Sequence, residues 1–135
     1  MQHKFVEFVP HSLEENILYI SMEYKTVAHL CCCGCREKVI TPITPTDWTL
    51  TYNGVGISLH PSIGNWNFKC KSHYWIKNNQ VMWAGTWDEK QIHQTQIADA
   101  LKKQEYYQNV EEAKEHTYIP KISKKLVSFF RSIFR

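Results

Sequence analysis

Long apolar runs are missing from this chain: no segment reaches the ~18 to 20 apolar residues that a membrane-spanning helix needs. The opening Met-Gln-His-Lys-Phe-Val-Glu also lacks the uninterrupted apolar stretch of a secretory signal. Together these absences set the expectation of a cytoplasmic protein, in a reducing milieu that disfavours disulfides. Cysteine arithmetic points the same way, because there are five cysteines and four of them fall within residues 31–35. A strong charge of one sign is missing too. The net charge is +3, and residues 1–87 carry seven Lys/Arg against six Asp/Glu. So neutral a body has no basic stripe for phosphate recognition, which argues against nucleic-acid binding. No internal repeat or low-complexity tract interrupts the chain.

What is present is aromatic and strand-like. The 135 residues suffice for one domain with a genuine core, and a 13% aromatic share favours strands and large buried side chains. Short apolar runs at 5–9, 16–22, 26–33 and 38–41 precede a loop at Pro42 and Pro45. Runs at 48–52 and 55–59 flank Asn53-Gly54, a hairpin signal because both residues tolerate positive φ. Further runs cover 66–70, 73–76 and 81–84. The expected fold is mainly β, a small zinc-stabilised sandwich or barrel-like domain over residues 1–87.

Residues 88–135 read as a helical extension packed on that domain or on a partner. Asp88 is a plausible N-cap, and Ile92, Gln96, Ile97 and Leu101 suit a helix to about residue 109. After a break and Pro120, Ile122, Leu126, Phe129, Phe130 and Ile133 recur at helical spacing. Residues 121–135 hold five basic residues and no acid. This basic helix suits a partner, an anionic membrane surface, or docking on its own domain.

The most informative segment is His29-Leu30-Cys31-Cys32-Cys33-Gly34-Cys35. In an extended strand His29, Cys31, Cys33 and Cys35 share a face, with Cys32 opposite, and same-face neighbours lie roughly 6.6 Å apart. Sulfurs around one tetrahedral zinc must approach to about 3.8 Å. A flat strand cannot do this, but a bend at Gly34 can make Cys33 and Cys35 converge. The remaining ligands come from elsewhere, and Cys70 is the only other cysteine. The preferred set is Cys31, Cys33, Cys35 and Cys70, with His73 or His29 as substitutes for Cys31. The bland alternative is a row of buried reduced thiols. A thiolate-rich tetrahedral site suits zinc and is usually closed and structural.

A second cluster, His60-Pro61-Ser62-Ile63-Gly64-Asn65-Trp66, leads into Cys70-Lys71-Ser72-His73-Tyr74-Trp75-Ile76. The first part reads as a tight loop that can present Ser62 as a nucleophile, with Asn65 as an oxyanion donor and His29, His60 or His73 as base. From residue types alone a plain turn between strands is the favoured reading, and Ser72 competes with Ser62. Neither Gly-x-Ser-x-Gly nor His-Glu-x-x-His occurs.

Five motifs together resemble one family: Phe-Val-Glu-Phe-Val-Pro, Leu-Tyr-Ile-Ser, His-Leu-Cys-x-Cys-Gly-Cys, Pro-Ser-Ile-Gly-Asn-Trp and Cys-x-Ser-His-Tyr-Trp-Ile. The chain is similar over residues 3 to about 87 to a small bacterial Cys/His-rich family, formally of unknown function. Its members are encoded beside multi-ubiquitin-like proteins and ThiF-like activating enzymes, with fused or neighbouring conjugating enzymes. Arg36 departs from the pattern, where a second glycine is expected. The resemblance implies a place in a bacterial ubiquitin-like conjugation system, and such systems need a protease to remove or mature the modifier. It raises the weight on Ser62, His73, His29 and Asn65 as catalytic residues. The competing expectation is a non-catalytic zinc-binding adaptor that docks the modifier or a conjugating enzyme through Trp48, Trp66, Trp75 or Trp83, although most of these tryptophans are expected in the core.

Overall fold

The computed structural model describes residues 1–133, and side chains over 1–117. Eight strands form two four-stranded sheets. The first contains β1 (Gln2–Phe5), β2 (Ile17–Ser21), β3 (Thr26–Leu30) and β4 (Lys38–Pro42), in that spatial order. The second contains β5 (Thr49–Tyr52), β6 (Ile57–Gly64), β7 (His73–Lys77) and β8 (Gln80–Trp83), again in chain order. All pairings are antiparallel except β1 with β2. The two-residue period sends Leu18, Ile20, Val27 and Val39 inward from one sheet, and Ile57, Leu59, Ile63, Tyr74 and Ile76 inward from the other. These side chains form one core, so the fold is a sandwich.

Helix α1 (Glu89–Ile133) follows. Asp88 caps it as expected: its carboxylate accepts from the Gln91 N–H at 2.7 Å, and the Gln91 side chain accepts from the Asp88 N–H at 3.0 Å. The chain divides into two compact units, Met1–Ile92 and His93–Arg135. One helix replaces the expected two. The break near 109 is absent because Glu111, Glu112, Ala113, Lys114 and Glu115 are strong helix formers, and the helix bounds enclose Pro120. The basic apolar stripe at 122–133 lies outside the residues whose side chains are described.

Three strand expectations are corrected. β1 begins at Gln2 and ends at Phe5, because parallel pairing with Ile17–Ile20 selects that register. Residues 66–70 form turns, not a strand, with the Phe68 N–H bonded to the Asn65 carbonyl and the Lys71 N–H to the Phe68 carbonyl. Pro61, Ser62 and Ile63, read as a loop, belong to β6. The pairing of β6 with β7 shifts register between Leu59 and Ile63, and an irregularity there accommodates a proline that cannot donate to a ladder. The hairpin at Asn53-Gly54 forms with a longer connection than two residues. Tyr52 pairs with Ile57, and the Asn53 side chain accepts from the N–H groups of Val55 and Gly56.

A buried polar chain crosses the sandwich. His29 on β3 is fully buried, and its Nε2 lies 2.9 Å from the Tyr74 hydroxyl on β7. The Asn65 amide donates to that hydroxyl at 3.3 Å. Burial raises the Tyr74 hydroxyl above its ordinary range, so it remains a protonated donor. Replacing Tyr74 with Phe strips His29 Nε2 of its partner without changing the packing. Stability is expected to fall by about 1–3 kcal/mol, read as a lower urea midpoint at unchanged m-value.

Candidate active site and metal centre

Ser62 lies on β6, and His73 opens β7. The pairs Ile63 with Tyr74 and Gly64 with His73 place Ser62 and His73 as diagonal neighbours on one face. Tyr74 and Ile76 turn into the core, so that face is the outer one. His73 Nε2 lies 2.9 Å from Ser62 Oγ, and His73 Nδ1 lies 3.3 Å from the Gly85 carbonyl oxygen.

Although it faces away from the core, His73 is only 6% exposed. Tryptophans cover it. The Trp66 and Trp87 rings lie 4.9 Å and 4.7 Å from its centroid, both edge to face, and Trp75 lies at 5.8 Å. Trp66 and Trp87 stack on one another at 5.3 Å with 17° between planes. Gly64 makes this cover possible, because a Cβ there would sit 2.3 Å from Trp66 Cε2. Gly64→Ala must therefore displace the indole from beside His73. The expected result is a stability loss of about 1–3 kcal/mol with a disproportionate loss of turnover, checked by thermal melting beside a cleavage assay.

The four cysteines come together from two places. Cys31 directly follows β3, and residues 32–35 turn immediately after it, with Gly34 at φ +89° and its N–H bonded to the Cys31 carbonyl at 3.1 Å. Arg36 takes φ +65°, the left-handed conformation for which glycine is the easier residue. Cys70 arrives on the β6–β7 connection. The sulfurs of Cys31, Cys33, Cys35 and Cys70 all lie within 4.8 Å of one another. Cys31 is 3.4 Å from Cys33 and 3.9 Å from Cys70, and Cys35 is 3.8 Å from Cys70. These edges match the ~3.8 Å of a tetrahedral tetrathiolate. Cys31 is buried, whereas Cys33, Cys35 and Cys70 are exposed. Cys32 stands apart, beside the Met1 sulfur.

Ser72 and Asn65 connect the two sites. Ser72 Oγ lies 3.0 Å from Cys31 Sγ and accepts from the Asn65 amide at 2.9 Å, while the Asn65 N–H bonds the Ser72 carbonyl at 2.9 Å. The connection that ends in His73 is thereby tied to the thiols.

Several expected roles change. The Asn65 amide, expected as an oxyanion donor, is buried and donates to Ser72, Tyr74 and Cys31. His29 pairs with Tyr74 on the inner face, and burial lowers its pKa to about 4, too acidic for a base at neutral pH. Neither His29 nor His73 substitutes for a thiol in the four-cysteine cluster. Ser72 belongs to the thiol network, which leaves Ser62 as the serine beside a histidine. Trp75 and Trp83 are exposed, and Trp48 and Trp66 are half-buried, so the expectation that most of these tryptophans are core is not met. Sequence reasoning passed over Gly85 and Trp87, whose proximity to His73 depends on the path of the chain after β8.

The fold and site define a class: a β-sandwich with a hydrogen-bonded Ser–His pair on one outer face and a tetrathiol centre beside it. A family model described as "Bacterial ubiquitination-like system serine protease (BubE)" matches residues 5–84. The chain belongs to that family, the serine proteases of a bacterial ubiquitination-like system. No curated protein and no solved structure matches the chain. No helix among the described residues is long and apolar enough to cross a membrane.

Proposed function

We propose that the chain releases or matures the ubiquitin-like modifier of its system, with Ser62 as nucleophile and His73 as general base. The observation that carries this reading is the 2.9 Å contact between Ser62 Oγ and His73 Nε2. Ser62 Oγ attacks the acyl carbon at the modifier's C-terminus while its proton passes to His73 Nε2. The resulting imidazolium returns that proton to the departing amine or alkoxide as the acyl bond breaks. A water molecule then attacks the acyl-serine, giving its proton to Nε2, and the free carboxyl end of the modifier departs as Ser62 regains its hydrogen. The substrates are modifier chains extended at the C-terminus, or conjugates built by the activating and conjugating enzymes of the system.

The metal in this reading is zinc, held by Cys31, Cys33, Cys35 and Cys70. Four thiols fill a tetrahedral shell and leave no open position, so the ion is structural. It would close the turn after β3 onto the β6–β7 connection.

The test is cleavage of a ubiquitin-like modifier carrying a C-terminal extension, by wild type and Ser62→Ala, with zinc content measured on both. Cleavage lost in a zinc-replete Ser62→Ala supports the assignment. Modifier binding without cleavage by zinc-replete wild type overturns it in favour of an adaptor.

A further inference from the structure

A neutral imidazole carries one N–H, and its location decides what a Ser–His pair can do. With the proton on Nδ1, the bare Nε2 accepts the serine hydroxyl proton. With the proton on Nε2, the ring donates to the serine oxygen and cannot serve as base. The partner at Nδ1 sets this choice. For His73 that partner is the Gly85 carbonyl, and no carboxylate pairs with the ring among the described residues.

A main-chain acceptor has no side chain of its own to hold it in place. A Cβ at Gly85 would meet nothing within 4 Å, so packing at residue 85 does not locate its carbonyl. The neighbours do. On one side the Ala84 N–H bonds the His73 carbonyl at 2.9 Å, extending the β7–β8 ladder. On the other, Trp87 lies edge to face against His73 and stacks on Trp66, which itself covers Gly64. The chain then enters α1 through the Asp88–Gln91 cap, with Ile92 buried and Glu89 paired with Lys71. Gly85 is thus clamped on both flanks. Both Gly85 and Trp87 lie beyond residue 84, where the family match ends.

We propose that Trp87 is a positioning residue for catalysis: it holds the Gly85 carbonyl against His73 Nδ1 and so keeps Nε2 free to take the Ser62 proton. This inference rests on the Ser62–His73 reading above. The 3.3 Å spacing is longer than an ideal N–H···O bond, and such catalytic contacts tighten when substrate binds.

The experiment pairs a spectroscopic readout with kinetics on p-nitrophenyl acetate. Nitrogen-15 spectra of wild-type holoprotein at neutral pH should show His73 protonated on Nδ1. In Trp87→Ala, verified as folded and metal-replete, His73 should shift toward the Nε2–H form. Its kcat should fall about 10- to 100-fold, with KM little changed. Trp87→Phe, which keeps an aromatic ring against His73, should recover most of the turnover and the Nδ1–H signal. A wild-type His73 protonated on Nε2 overturns the proposal, and that spectrum needs no variant to fold. The proposal also falls if Trp87→Ala keeps its kcat, or loses it while the Nδ1–H signal stays. Ser62→Ala in the same assay separates the two inferences: wild-type turnover there defeats the Ser–His reading itself, whereas an inactive Ser62→Ala beside a wrong tautomer defeats only the role of Trp87.

Discussion

Alanine at Ser62, at His73, or at both is expected to cut cleavage of an extended modifier by at least about a thousandfold, with all three variants alike. The equality is the diagnostic part. Two residues that contribute independently multiply their losses, whereas a nucleophile and its base act as a unit, so the second removal costs little more. The shared 2.9 Å contact predicts the second behaviour. Single-turnover kcat/KM across the cycle is the measurement. Ser62→Ala deletes one oxygen on a solvent-facing strand position and should leave folding and metal content intact. His73→Ala opens a hole among Trp66, Trp75 and Trp87, so its melting temperature must be followed in parallel. Losses that multiply would place the two residues in separate roles and remove the basis for calling them a pair.

The sandwich is legible in the chain where a two-residue period runs between clear turn signals. Residues 16–22 and 38–41 read correctly because apolar positions there alternate or bury continuously beside polar turns, whereas the run expected at 26–33 stops as a strand at Leu30, where the cysteines turn. Legibility fails at Pro61. A proline between His60 and Ser62 reads as a loop, and only the register shift opposite β7 reveals that the strand continues through it. The segment 66–70 fails in the other direction. Its Trp and Phe have strand-like composition, yet the hydrogen bonds of Asn65 and the position of Cys70 fold it into turns.

The thiol set was readable from chemistry alone, because tetrahedral coordination demands convergence and Gly34 offers the bend. The base was not. His29 and His73 look equivalent in sequence, and they part only through their faces: His29 shares the inward parity of Val27 and Cys31, while His73 takes the parity opposite to Tyr74 and Ile76. Parity relative to a core depends on which sheet a strand joins, and that is a long-range property. Gly85 illustrates the same limit, since a main-chain carbonyl has no residue signature.

Cys70→Ser is expected to lower the melting temperature by at least about 10 °C and to abolish cleavage together with metal binding, whereas Cys32→Ser should do neither. The contrast follows from geometry. Cys70 is the one thiol from the β6–β7 connection, so losing it leaves three ligands from a single turn and unties that connection from β3. Cys32 lies in the same turn but outside the cluster. A structural zinc site contributes folding free energy directly, and breaking it should cost on the order of 3 kcal/mol or more. Chelation of wild type should reproduce the Cys70→Ser phenotype. Activity should fall with it although no thiol touches Ser62, because the path from Cys31 through Ser72 and Asn65 fixes the segment that delivers His73 to β7. Zinc content, melting temperature and cleavage on the same samples check the chain of cause. If chelated protein keeps its melting temperature and its activity, the thiols do not brace the site. If it keeps its melting temperature but loses activity, the metal acts on the reaction itself, and the closed structural assignment must be abandoned for a centre that opens to substrate.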